Sequence, residues 1–213
     1  AYHRSERNAG GKNMRLICIG DSLTFGYGVH LSQRWTRLCA QETGWELVNE
    51  GINGDTTGGM LARMQGGVLA ELREGGLGAD RPYVLLMGGS NDVFYSGSDA
   101  AARGNMGAMI HQLFSVGVLP MVGIPLPADA PHAPRAWAVA VDFEAAERTM
   151  KEYCAWLKRY CTAFGVPYID FCADFLSPDG SIRSELLLDG LHPTPEGHCL
   201  MARRLSAQLK RQG

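Results

Sequence analysis

The sequence predicts a three-layer α/β/α domain built around a five-stranded parallel sheet. Short apolar runs alternate along the chain with longer amphipathic ones, the pattern of buried strands joined by crossover helices. Polar, glycine-rich segments follow the first three of these runs, and ligand sites of open α/β sheets form at such strand ends. The chain has 213 residues, enough for one well-buried core and short for two.

The elements follow in order. The first strand spans about 14–20 and carries the continuous apolar run Leu16-Ile17-Cys18-Ile19. Further strands are expected near 46–50, 82–87, 118–124 and 166–170. Helices are expected near 32–43, 57–73, 99–116 and 142–164, with a last one over 195–211. That last helix has Thr194 as N-cap and Pro195 at its first position, both favoured there. Pro125, Pro127, Pro131 and Pro134 stiffen the stretch after the fourth strand, which reads as a loop. With right-handed crossovers, five such strands give a flavodoxin-like sheet. Residues 14–213 read as one domain. Residues 1–13 are polar, lack an apolar signal core, and read as a flexible leader or a cloning remnant.

Composition narrows the function. The chain is 46% hydrophobic and 20% charged, with a formal net charge of −2. It therefore has no field drawing it to nucleic acid or to an anionic membrane. Arg203, Arg204, Lys210 and Arg211 read as the solvated face of the last helix. No apolar run approaches the roughly 20 residues that span a bilayer. The six cysteines form no CxxC pair and no metal-ligand spacing, and most sit in apolar runs. A reduced, cytoplasmic setting is the expectation, with a secreted mature form left open.

The chemistry gathers at one sheet edge. Gly20-Asp21-Ser22 follows the first strand, Gly51-Ile52-Asn53-Gly54 the second, and Gly88-Gly89-Ser90-Asn91-Asp92 the third. Asp189 and His192 precede the last helix and can fold back over the same edge. A serine hydroxyl is a weak nucleophile until an imidazole takes its proton and a carboxylate holds that imidazole in the right tautomer. Ser22 at a strand-to-helix turn is the candidate nucleophile, His192 the base and Asp189 its orienter. The Ser22 N–H, the Gly54 N–H and the Asn91 carboxamide are candidate donors to the developing oxyanion. Taken singly, Ser22, Asn91 and Asp92 read equally as helix caps, His192 as a surface histidine, and Gly51 and Gly54 as turn residues. Their placement at successive strand ends favours the catalytic reading. His198 reads as a packing or solvated residue of the last helix.

These residues resemble the GDSL, or SGNH, hydrolases. Gly20-Asp21-Ser22-Leu23, Gly51-Ile52-Asn53-Gly54, Gly89-Ser90-Asn91-Asp92 and Asp189-Gly190-Leu191-His192 stand in the order of that family's four blocks and span nearly the whole chain. The resemblance implies a Ser–His–Asp esterase of flavodoxin-like fold, with Ser22, Gly54 and Asn91 as oxyanion hole and neither metal nor organic cofactor. The family acts on short-chain esters, acetylated sugars, thioesters and lysophospholipids. The expected partner is a small-molecule or carbohydrate ester, with no nucleic acid and no membrane insertion; oligomeric state stays open. Short acyl esters are the first expectation, with a thioesterase or lysophospholipase as the alternative.

Position nominates the substrate wall: Val93, Phe94 and Tyr95 after Asn91, the loop from Leu126 to Trp137, and Leu191 beside the base, with Phe94 and Trp137 reading equally as plugs of the core rim. Three rival readings are weaker. An aspartyl phosphotransferase of DxDxT type needs a second carboxylate two residues after Asp21, where Leu23 stands. A phosphate-cradling module lacks GxGxxG and GxxxxGK[ST] after the first strand. A non-catalytic carbohydrate-binding module would leave the filled triad without a use.

Overall fold

The structure, a computed structural model, describes residues 14–74 and 82–211. The expected leader, 1–13, lies outside the described residues. Five parallel strands form one sheet: β1 (Arg15–Gly20), β2 (Glu46–Gly51), β3 (Tyr83–Met87), β4 (Met121–Ile124) and β5 (Tyr168–Asp170). Their order is β2-β1-β3-β4-β5, as the flavodoxin-like expectation requires. The chain steps from β1 out to β2 and then returns across β1 to β3. The direction of travel reverses there, opening a crevice beyond the carboxyl ends of β1 and β3.

Period-two alternation divides the core. Ile17 and Ile19 of β1, with Val84 and Leu86 of β3 and Val122 and Ile124 of β4, face one buried layer. It is closed by α3 (Thr57–Gly66), α4 (Val68–Glu74), α6 (Ala100–Ser115) and α7 (Phe143–Phe164). Leu16, Cys18, Leu85, Met87 and Ile169 face the other layer. There α2 (Trp35–Thr43) packs on α8 (Pro195–Leu209). Both faces of the central strands are dry, which is why they read as continuous apolar runs. Among the described residues no helix is long and apolar enough to cross a membrane.

Several boundaries differ from expectation for local reasons. β3, β4 and β5 each begin directly after a proline: Pro82, Pro120 and Pro167. Proline has no N–H to give the ladder, so strands expected from 118 and 166 start at 121 and 168. The helix expected over 57–73 is two, broken at the Gly66-Gly67 pair where helix cohesion is lowest. The segment expected as helix from 32 opens with a 3₁₀ turn, Leu31–Gln33, before α2. A short helix that the hydrophobic pattern does not reveal, α5 (Ser90–Ser96), follows β3. Thr194 caps α8 as expected, accepting from the Gly197 N–H at 3.2 Å. The proline-rich stretch is a loop carrying two 3₁₀ turns.

Candidate active site

β1 ends at Gly20, and the chain turns at once into the four-residue helix α1 (Ser22–Phe25). Asp21 makes the turn by accepting from the Leu23 N–H at 2.9 Å. The Leu23 carbonyl is held in turn by the Trp35 indole N–H at 2.8 Å. Ser22 is thereby fixed at the sheet edge, with its Oγ 2.9 Å from His192 Nε2. The other ring nitrogen, Nδ1, lies 2.8 and 3.1 Å from the two Asp189 oxygens. Asp189 also accepts from the backbone N–H groups of His192, at 2.8 Å, and Leu191, at 3.1 Å. Ser22, His192 and Asp189 form one continuous hydrogen-bonded chain. Its polarity suits transfer of the serine proton to an imidazole that a carboxylate orients.

Environment separates the acids. Burial raises the Asp189 carboxyl, but the His192 ring, the backbone donors and the His192 charge outweigh it, holding the group below its ordinary value. Asp21 goes the other way. It is 1% exposed, and burial pushes it up to about 7 against the opposing pull of the Leu23 N–H and the His192 charge. Its second oxygen, Oδ2, has no hydrogen-bond partner among the described residues.

Gly54 and Asn91 line the same cavity as Ser22. Gly54 holds φ at +75°, a left-handed conformation that a side chain would strain. The Asn91 carboxamide donates one N–H to the Asp55 carbonyl at 2.8 Å. A primary amide has two N–H donors, so a second remains for a ligand. Asp92 does not cap its own helix. It accepts from the N–H and hydroxyl of Thr57, at 2.9 and 2.6 Å, and so ties α5 to α3.

A cavity of about 540 Å³ opens over Ser22 and His192. Phe94, Tyr95, Leu126, Trp137 and Leu191 all line it, as position suggested. Val93 does not: it is buried in the core, because it points to the inner side of α5. Leu126 and Leu191 form an enclosed apolar wall, while Tyr95 and Trp137 stand half-exposed at the rim. Among the described residues no group of three or more His, Cys, Asp or Glu side chains is placed to hold a metal ion.

The sequence pattern of the GDSL-like lipase/acylhydrolase family matches residues 18–200. The chain belongs to this family. It is 29% identical over 185 residues to the esterase TesA of Pseudomonas aeruginosa, covering 84% of this chain and 79% of the relative. The carbohydrate acetylesterase Est24 from Sinorhizobium meliloti superposes with a TM-score of 0.75 at 18% identity, covering 94% of this chain and all of that one (100%). The aryl esterase of M. smegmatis gives 0.74 at 20% identity, over 93% and 99% of the two chains. This GDSL acylhydrolase has the SGNH hydrolase fold of these structures.

Sequence reading missed one residue that lines the cavity. Tyr27 lays its ring against His192, centroid to centroid 4.6 Å, and lines the cavity. No spacing rule marks it, because the contact joins the end of α1 to a loop 165 positions away. His198, expected to be packing or solvated, is fully buried and accepts from the Trp35 N–H at 3.2 Å.

Proposed function

We propose that this GDSL acylhydrolase hydrolyses carboxylic esters of short acyl chains, acetyl esters foremost, through an acyl-enzyme on Ser22. The hydrogen-bonded chain from Ser22 through His192 to Asp189, beside Gly54 and Asn91, carries the proposal. Ser22 Oγ attacks the ester carbonyl carbon as its proton passes to His192 Nε2. The negative charge on the carbonyl oxygen is met by the N–H groups of Ser22 and Gly54 and the free N–H of Asn91. Collapse expels the alcohol, which takes the proton from His192. Water, deprotonated by the same imidazole, then releases the acid. Asp189 stays ionised throughout, holding the ring and stabilising the imidazolium.

The lining supports a neutral substrate. Leu126, Leu191 and Phe94 offer an apolar wall for the acyl group, and the Tyr95 and Trp137 rim suits a flat alcohol portion, aryl or sugar. The lining includes no Lys or Arg among the described residues, which weighs against a phosphate-bearing lysophospholipid. The acetylesterase and aryl esterase among the structural relatives agree with this choice.

The test is hydrolysis of p-nitrophenyl esters from acetate to palmitate by wild type and Ser22→Ala. Turnover should peak at the shortest chains and fall about 10⁴-fold or more in the variant. A peak at long chains would replace the short-acyl reading with a thioesterase or lysophospholipase pocket. Near-normal turnover by Ser22→Ala would remove the nucleophile assignment.

A further inference from the structure

The geometry points to Arg63 as a positioning residue that locks the nucleophile turn against the oxyanion loop, an inference resting on the roles proposed above for Ser22, Gly54 and Asn91. Arg63 sits on α3, away from the cavity over Ser22, and its guanidinium makes two bonds in different directions. Nη2 donates to the Gly20 carbonyl at 2.9 Å, and Nε donates to Asp55 Oδ2 at 2.9 Å. Gly20 is the last residue of β1, two positions before Ser22. Asp55 directly follows Gly54.

The rest of the network converges on the same two points. The Gly20 carbonyl also accepts from the Ile52 N–H at 3.0 Å. The Asp55 carbonyl takes the Asn91 carboxamide N–H at 2.8 Å. One guanidinium therefore connects the strand that leads to the nucleophile with the loop that presents Gly54, and the Asp55 backbone carbonyl carries that link on to the Asn91 carboxamide. The first turn of α3 is hollowed for this purpose: a Cβ on Gly59 would lie 1.9 Å from Asp55 Oδ1. The Arg63 and Asp55 side chains are 24% and 12% exposed, so the pair is only partly screened by solvent.

The geometry calls for arginine. A planar fork can address a carbonyl and a carboxylate at once, with each donor in a fixed direction. A lysine ammonium would retain the charge opposite Asp55 but would not hold both acceptors at these positions. The oxyanion exists only after attack, so loosening this tie raises the barrier and leaves ground-state binding nearly unchanged. A purely structural ion pair would instead lower melting temperature without selectively lowering kcat.

The test is steady-state kinetics on p-nitrophenyl acetate for wild type, Arg63→Lys, Arg63→Ala and Ser22→Ala, with melting temperatures. A displacement of catalytic groups by about 1 Å costs about 100-fold, so Arg63→Ala should lose about 10- to 100-fold in kcat. KM should stay within about twofold, and Arg63→Lys should fall between alanine and wild type. Millimolar guanidinium should restore part of the Arg63→Ala turnover and leave wild type unaffected. In a cycle with Asp55→Asn, the losses should be less than additive. If Ser22→Ala is inactive while both Arg63 variants keep wild-type kcat, the positioning role falls and the nucleophile stands. A loss that tracks the unfolded fraction and ignores guanidinium also overturns it. Activity in Ser22→Ala would overturn both.

Discussion

Asp21 and His198 give the fold two opposed pH dependences, and replacing Asp21 with asparagine separates them. Burial raises the Asp21 carboxyl from 3.8 to about 7, so the folded chain keeps a proton that the unfolded chain has released. Its contribution to stability is complete below about pH 4 and is lost as pH rises through about 7. The shift is about three units, which at about 1.4 kcal/mol per unit amounts to about 4 kcal/mol. Burial, helped by the charges of Arg34 and His192, lowers His198 from 6.5 to about 4. Here the folded chain refuses a proton that the unfolded chain takes. That contribution is complete above about pH 6.5 and is lost as pH falls to about 4, a change of about 3 kcal/mol. Between these limits unfolding releases a proton at one site and takes one up at the other, and the two slopes nearly cancel. Asparagine keeps an acceptor for the Leu23 N–H and removes the titration. Urea unfolding of both proteins from about pH 4 to about pH 8 reads the difference. The stability of Asp21→Asn relative to wild type should rise by about 4 kcal/mol across that window. A difference constant to within about 0.5 kcal/mol would refute the argument that burial keeps Asp21 protonated.

Other outcomes follow from the same geometry. Asn91→Ala should lower kcat about 10²- to 10³-fold with a smaller change in KM, measured on a short ester. Asp189→Asn should lower kcat about 10⁴-fold, since the amide would hold the wrong imidazole tautomer. Gly54→Ala must carry a Cβ at φ +75° and 3.3 Å from the Tyr95 hydroxyl. It should cost about 1–2 kcal/mol in urea unfolding and turn the proposed oxyanion donor out of line, lowering kcat. Trp137→Ala should raise KM for aryl esters about fivefold and leave kcat nearly unchanged, because its rim contact is made equally in ground and transition states.

The sheet was legible in the sequence because both faces of its central strands are buried, and burial on two sides writes an unbroken apolar run such as Leu16–Ile19. Strand starts were displaced most where a proline removed a ladder donor, at Pro120 and Pro167. The short helix α5 left no hydrophobic period because its outer turn faces the cavity. Candidate chemistry was legible for a related reason. Asp21-Ser22, Gly54 and Asn91 each sit at the end of a strand, and a parallel sheet brings strand ends to one edge whatever the intervening helices.

Sequence by itself therefore determined the layer architecture, the edge at which the chemistry gathers and the identity of the candidate triad. Local rules suffice for these: period, punctuation, and residue types suited to proton transfer. Tertiary structure alone decided the contacts between distant segments. It put Tyr27 against His192, buried His198 under Trp35, turned Val93 into the core and aimed Arg63 at both Gly20 and Asp55. It also set the charge states of Asp21 and Asp189. Two carboxyls of the same ordinary strength part in opposite directions because one is enclosed with an unpaired oxygen and the other is ringed by donors. Chain spacing carries no record of which side chains will share a dry enclosure.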